Sequence, residues 1–257
     1  MRSRSQLIAE VTDNAFLGGK LMLRQPAKGY RAGLDPVLLA ACVPAVPGQR
    51  VLDLGCGVGT ALFCLGARVD GLSLSGLEIQ PDYAELARFN AAENGIEAQI
   101  CAGSVSDLPQ ELRQKSFDHV IANPPYFEET SVTKAQDSGR HIGRAEHVPL
   151  SDWCRAGIKR LAPKGRFSMI MVADRLPEVL DAFNAGLGDV AVKPIASRQG
   201  QVARLVLIQG VKNARGPFRL HSPLILHQGD RHIKDGESYR KTVADILRNG
   251  APLSFED

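Results

Sequence analysis

The chain has 257 residues, 44% of them hydrophobic, and a formal net charge of +3, which suits one large globular domain or one domain with terminal extensions. Its longest uninterrupted apolar run, Val37 to Val43, is seven residues, too short for a bilayer-spanning helix, and no apolar stretch follows the basic start, so neither a membrane span nor a signal peptide is expected. Residues 1–50 carry 7 Lys+Arg against 3 Asp+Glu, residues 51–130 carry 4 against 12, and residues 131–257 carry 20 against 13, so an acidic centre lies between basic arms that could face a phosphate backbone or simply be solvated.

From residue 50 onward, strand and helix patterns alternate. "RVLDLG" (50–55) reads as a short apolar strand, followed by a glycine turn and the helical "TALFCLGARV". A second strand covers 71–79. The helix over 81–94 has Pro81 at its start, Asp82 and Glu85 in its first turn and Gly95 at its end. Strands over 97–103 and 117–122 come next, then a helix over 151–163, a strand over 165–173 and a helix over 176–187. Strands near 190–195 and 202–208 close the series. This alternation predicts an α/β fold with a parallel sheet and helices on both faces. The boundaries divide the chain into an N-terminal extension (1–47), a core (48–210) and a C-terminal extension (211–257). Cys42, Cys56, Cys64, Cys101 and Cys154 form no CxxC pair and read as reduced core thiols of a cytoplasmic protein. The six histidines show no ligand spacing, so no metal is expected.

The glycine turn, Asp53-Leu54-Gly55-Cys56-Gly57-Val58-Gly59-Thr60, opens a strand into a helix. Glycines there let a ligand approach the backbone beside the helix N-terminal N–H groups. The dinucleotide fingerprint G-x-G-x-x-G/A fails, because its last position falls on Thr60 or on Leu62. The pattern D-x-G-x-G-x-G instead resembles the first motif of class I S-adenosylmethionine-dependent methyltransferases, which implies a Rossmann-like sheet, mostly parallel with an antiparallel last strand. That resemblance implies S-adenosyl-L-methionine as cofactor, with Asp53, Gly55, Gly57 and Gly59 around its amino acid part. Glu78 ends the next strand, where a Rossmann-like fold places a ribose-binding carboxylate. Where the family's adenine-reading acid would stand, the chain has Ser104, with Asp107 three residues on. Asp107 is a candidate for that contact and equally for a turn.

Asn123-Pro124-Pro125-Tyr126-Phe127 follows the fourth strand, at the edge where open α/β sheets build sites. Neither proline can extend the sheet. The Asn123 side-chain oxygen and the Pro124 carbonyl, on stiff backbone, can accept both hydrogens of a planar NH2 group and direct its lone pair at a donor methyl. Tyr126 and Phe127 can stack on a flat ring. This segment resembles the catalytic motif of amino-methylating enzymes, making Asn123, Pro124 and Tyr126 the catalytic candidates and Asn123 a neighbour of the cofactor as well. Members of that group modify adenine N6, cytosine N4, guanine N2 or a glutamine side chain.

"GYRAGLDPVLLAACVP" (29–44) and "RLHSPLILHQGDRHIKDGESYRKTVADILRNG" (219–250) resemble flanking segments of bacterial tRNA(Val) adenine-N6 methyltransferases. This wider resemblance implies tRNA as substrate, an adenine beside the anticodon as target, and cofactor contacts from around Tyr30, Gly33 and Asp35. Asp35 reads equally well as a cap of the helix starting at Pro36. Arg24, Lys28 and Arg31 before the core, and Arg140 and Arg144 in the polar connection after Phe127, are then candidate phosphate contacts. Two other readings stay open: a protein glutamine-N5 methyltransferase and a non-catalytic RNA-binding scaffold on the same fold.

Overall fold

The computed structural model describes residues 10–29, 31–125, 148–229 and 238–256. Its first elements are a hairpin that the sequence pattern does not announce: β1 (Val11–Phe16) pairs antiparallel with β2 (Leu21–Pro26) around a tight Leu17–Gly19 turn. Along β2 the side chains alternate, with Leu21, Leu23 and Gln25 buried and Met22 exposed, as a strand lying on a core must. Helix α1 (Asp35–Cys42) follows, and its last turn is held by Arg68, which donates to the carbonyls of Ala40 (3.0 Å) and Val43. Asp35 is the first residue of this helix, and Leu34 occupies the cap position.

The alternating segments form one nine-stranded sheet. In chain order its elements are β3 (Arg50–Leu54), α2 (Thr60–Arg68), β4 (Ser73–Glu78), α3 (Pro81–Glu93), β5 (Ala98–Ala102), α4 (Gln110–Arg113), β6 (Phe117–Ala122), α5 (Leu150–Arg160), β7 (Leu161–Val172), α6 (Leu176–Asn184), β8 (Leu187–Ala196), β9 (Leu205–Lys212), β10 (Arg219–Leu220), β11 (Leu224–Ile225) and α7 (Lys241–Asn249). The strand order is β10-β8-β9-β7-β6-β3-β4-β5, with β11 also on β8. β9 is antiparallel to both β7 and β8, while the other pairs of this sheet are parallel. The mostly parallel sheet with an antiparallel final core strand is therefore present, and that strand is inserted between β7 and β8. The two-residue strands β10 and β11 extend the sheet beyond it.

Two apolar layers cover the faces. Val51, Ile121, Ile170 and Leu207 pack with α1, α2, α3 and α7. Leu52, Leu54, Val120, Phe167 and Met169 pack with α4, α5 and α6. Helix α5 comes close to the sheet at Gly157, where a Cβ would lie 2.5 Å from the Phe167 ring, which in turn stacks on Phe183 at 5.2 Å. Several boundaries differ from expectation by a few residues, two of them for a clear physical reason. The helix expected over 151–163 stops at Arg160, because Pro163 cannot continue it and Leu161 is recruited opposite Phe117 in the sheet. The strand expected over 202–208 runs from Leu205 to Lys212, following the ladder of β7. All five cysteines are free, and all but Cys101 are buried.

Candidate active site

Register brings the sequence motifs together. Leu54 of β3 lies opposite Leu77 of β4 and opposite Ala122 of β6. The next residue on each strand is Glu78, Gly55 or Asn123, so these three positions stand at one level along the carboxyl edge of adjacent parallel strands. Adjacent strands are about 4.8 Å apart, which puts an acid, a glycine turn and an amide within reach of a single small ligand.

The turn itself is built by the backbone. The Cys56 N–H donates to the Leu77 carbonyl at 2.9 Å, Gly59 N–H to Cys56 at 2.8 Å, and Phe63 N–H to Gly59 at 2.8 Å. Gly55 has φ +67°, and a Cβ on it would lie 2.5 Å from the indole of Trp153, the chain's only tryptophan. Gly57 has φ +56°, and a Cβ there would meet nothing within 4 Å. A glycine in a left-handed turn that fronts open space is what close approach of a ligand to the backbone requires.

Two carboxyl groups support this turn from beneath. Asp53 is 2% exposed and Glu78 5%. Glu78 Oε2 accepts from Gly57 N–H and Oε1 from Gln80 N–H, both at 2.8 Å. Burial raises the Glu78 carboxyl above its usual range, and N–H groups of Gln80, Gly57 and Ile79 pull it back in part. Burial also pushes Asp53 well up, and the adjacent Glu78 charge adds to this; the Leu62 N–H offsets only a little. Thr60, at the start of α2, buries its hydroxyl without a hydrogen-bond partner among the described residues. Two buried acids with raised pKa values, an orphaned hydroxyl and an open glycine cradle fit a polar, cationic group: the sulfonium and ammonium of S-adenosylmethionine satisfy that donor set.

At the facing corner, Asn123 is half-buried, Pro124 buried and Pro125 exposed. Tyr126, Phe127, Arg140 and Arg144 lie outside the described residues, as does Tyr30. Asp107 is displaced from the core of the site: its side chain is 87% exposed and pairs with Arg113 at 3.6 Å. Ser104, the alternative at that position, accepts from Ser106 N–H at 3.2 Å.

The N-terminal basic residues sit on the hairpin and the segment after it. Arg24 Nε is 3.1 Å from Asp13 and its guanidinium lies 4.3 Å from the centre of the Phe89 ring. Lys28 is 3.5 Å from Glu10, and Arg31 donates to Asn14 at 3.1 Å. Exposed pairs of this kind contribute only about 0–1 kcal/mol, so a phosphate can displace them. Gly29 places this segment beside the first turn of α3, where its Cβ would lie 3.0 Å from the Tyr83 hydroxyl. Grooves of about 580 and 600 Å³ lie elsewhere, one between the hairpin turn and α7 and one between α5 and α6. Neither is lined by the glycine turn or Asn123. Among the described residues no three His, Cys, Asp or Glu side chains group to hold a metal, and no helix is long and apolar enough to cross a membrane.

Sequence reasoning missed Trp153, whose contact with Gly55 arises only from the docking of α5, and Asn90, which is fully buried on α3. Asn90 did carry a signal: an asparagine in register with Ala84, Ala87 and Ala91 on an apolar helix face needs a partner.

Comparison with known proteins follows the same lines. A tRNA1(Val) (adenine(37)-N6)-methyltransferase of Porphyromonas gingivalis is 35% identical over 165 residues, 60% of this chain and 64% of that protein. The chain thus spans just under two thirds of that relative's length. A protein of the same name from Shewanella frigidimarina is 28% identical over 234 residues, covering 86% of this chain and 92% of its own. Among solved structures, a predicted O-methyltransferase from Agrobacterium tumefaciens superposes with a TM-score of 0.68 at 24% identity, over 86% of this chain and 98% of its own, a likeness of fold. The fold is accordingly the Rossmann-like class I methyltransferase fold. The family model described as "Methyltransferase domain" matches residues 45–239, a span wider than the expected 48–210 core, and the chain belongs to that methyltransferase family.

Proposed function

We propose that this methyltransferase uses S-adenosylmethionine to methylate the exocyclic N6 amino group of an adenine in tRNA, beside the anticodon. The observation that carries the reading is the shared register of Gly55 and Asn123, which leave neighbouring strands at the same level. The names of the curated relatives support the choice of tRNA and of adenine N6.

When bound, the cofactor supplies an electrophilic methyl on a positively charged sulfur. Asp53 would help hold the amino acid part of the cofactor, Glu78 would accept hydrogen bonds from its ribose hydroxyls, and the Gly55–Gly59 turn would let it approach the backbone closely. The Asn123 side-chain oxygen and the Pro124 carbonyl each accept one hydrogen of the adenine NH2. Holding both hydrogens would draw the nitrogen out of conjugation and orient its lone pair toward the donor methyl. The methylated nitrogen would shed its surplus proton to water, so no strong base of this chain is needed before transfer. Tyr126 and Phe127 stack on the extruded base. Asp107, or Ser104 with a backbone N–H, would contact the cofactor's adenine. Arg24, Lys28, Arg31, Arg140 and Arg144 hold tRNA phosphates.

The test is incubation of the enzyme with methyl-labelled S-adenosylmethionine and, separately, total tRNA and total protein from cells lacking it. Label recovered as N6-methyladenosine in tRNA is the expected result. Label on a protein glutamine would overturn the tRNA reading while leaving the methyltransferase assignment intact.

A further inference from the structure

Asn90, on α3, and Asn94, the C-cap residue that ends it, stand four residues apart and face the free edge of β2. Asn90 Oδ1 accepts from the Arg24 N–H at 2.8 Å and its Nδ2 donates to the Arg24 carbonyl at 3.0 Å. Asn94 repeats the pattern on Met22, accepting from its N–H at 3.0 Å and donating to its carbonyl at 2.9 Å. Four helical residues advance about 6 Å and two strand residues about 6.8 Å, so the two side-chain amides act as a substitute neighbouring strand. Pro26, lacking an N–H, closes the run.

The two asparagines differ in one respect. The second Nδ2 hydrogen of Asn94 goes to its own helix, at the Asn90 carbonyl (2.8 Å), whereas that of Asn90 goes to the carbonyl of Val58, at 3.0 Å. Val58 is in the glycine turn, between Gly57 and Gly59. Asn90 is 0% exposed, and an amide has two donor hydrogens, both used here. One buried side chain therefore joins the basic hairpin, at the residue that carries the Arg24 guanidinium, to the loop beneath the cofactor.

We infer that Asn90 is a positioning residue for the methyl-transfer site, fixing the glycine turn through Val58 while it docks the hairpin through Arg24. This rests on the reading that the turn holds S-adenosylmethionine. Asn94 is the internal control: it docks the same hairpin to the same helix without touching the turn.

The experiment measures S-adenosylmethionine Kd and steady-state constants for wild type, Asn90→Ala, Asn90→Asp and Asn94→Ala. Both alanine variants should raise KM for tRNA about two- to fivefold by loosening the hairpin. Only the Asn90 variants should raise the cofactor Kd and KM, by about five- to tenfold, the size of one or two lost hydrogen bonds. At saturating cofactor and tRNA, kcat should stay within about twofold of wild type, because the amide is not among the reacting groups. Asn90→Asp keeps the volume and the acceptor for Arg24 but turns an oxygen toward Val58, and should match or exceed the alanine effect on cofactor. Equal cofactor affinity in Asn90→Ala and Asn94→Ala would overturn the inference. So would two Asn90 variants that fail to fold while Asn94→Ala folds, since Asn90 would then serve folding alone. If wild type itself does not bind S-adenosylmethionine, the reading of the turn fails instead.

Discussion

Asp53 is a carboxyl group in the wrong medium for its charge, held at 2% exposure beside a second acid. Because burial raises its folded pKa, the cofactor-free protein keeps the full contribution of this group only below the ordinary carboxylate range, near 3.9, and loses stability as pH rises from there through the raised value. Asp53→Asn should therefore flatten the fall of the urea midpoint with rising pH, while weakening S-adenosylmethionine about tenfold or more through loss of a charged acceptor. A variant with an unchanged pH profile would show that Asp53 is not the group responsible. Asn123 belongs to the opposite corner and should behave differently. Asn123→Ala is expected to lower kcat by about 10²–10³-fold, as loss of one preorganised partner does, with cofactor affinity nearly unchanged in a binding titration. That Asp53, Glu78, the glycines and Asn123 stand at or just beyond strand ends was legible in the sequence from the alternating pattern, whereas which ends are neighbours is set by the order of the sheet. Trp153 was not, since its contact with Gly55 is set by how α5 settles on the sheet.

Among the elements, the strands and helices from β3 to β9 were readable apart from the four-residue α4, their apolar patterns being those of a sheet covered on both faces. The hairpin β1–β2 was not. Its outer strand is half-buried to exposed, and much of its docking comes from side-chain amides of Asn90 and Asn94 rather than from an apolar face. The end of α5 was misplaced by a few residues because a partner strand, not local propensity, decides where β7 begins. The junction of α1 and α2 shows another tie invisible to pattern. Arg68 closes the last turn of α1 from the end of α2, a favourable place for a cation. Arg68→Ala should cost about 1.5–3 kcal/mol in urea unfolding, the range for hydrogen bonds from a charged donor. Arg68→Lys, with a smaller head and no fork, should recover only part.

At the scale of the molecule, basic arms around an acidic centre become a surface argument. Arg24 and Lys28 pair with exposed acids and Arg31 with the half-buried Asn14, and exposed ion pairs exchange readily for phosphate. tRNA affinity should accordingly fall steeply between about 50 and 200 mM salt, with a log–log slope close to the number of phosphates neutralised, whereas cofactor affinity should change little. A flat salt response in filter binding would remove the arms from the substrate's path. The alignment of Glu78, Gly55 and Asn123 on three parallel strands has a last consequence. Their spacing is set by main-chain ladders, which sequence drift outside the sheet barely disturbs. The chemistry thus travels with the scaffold, and the surrounding segments are free to be exchanged: grafting a different rim onto these three strand ends should redirect the methyl group to another flat amine without redesign of the transfer geometry.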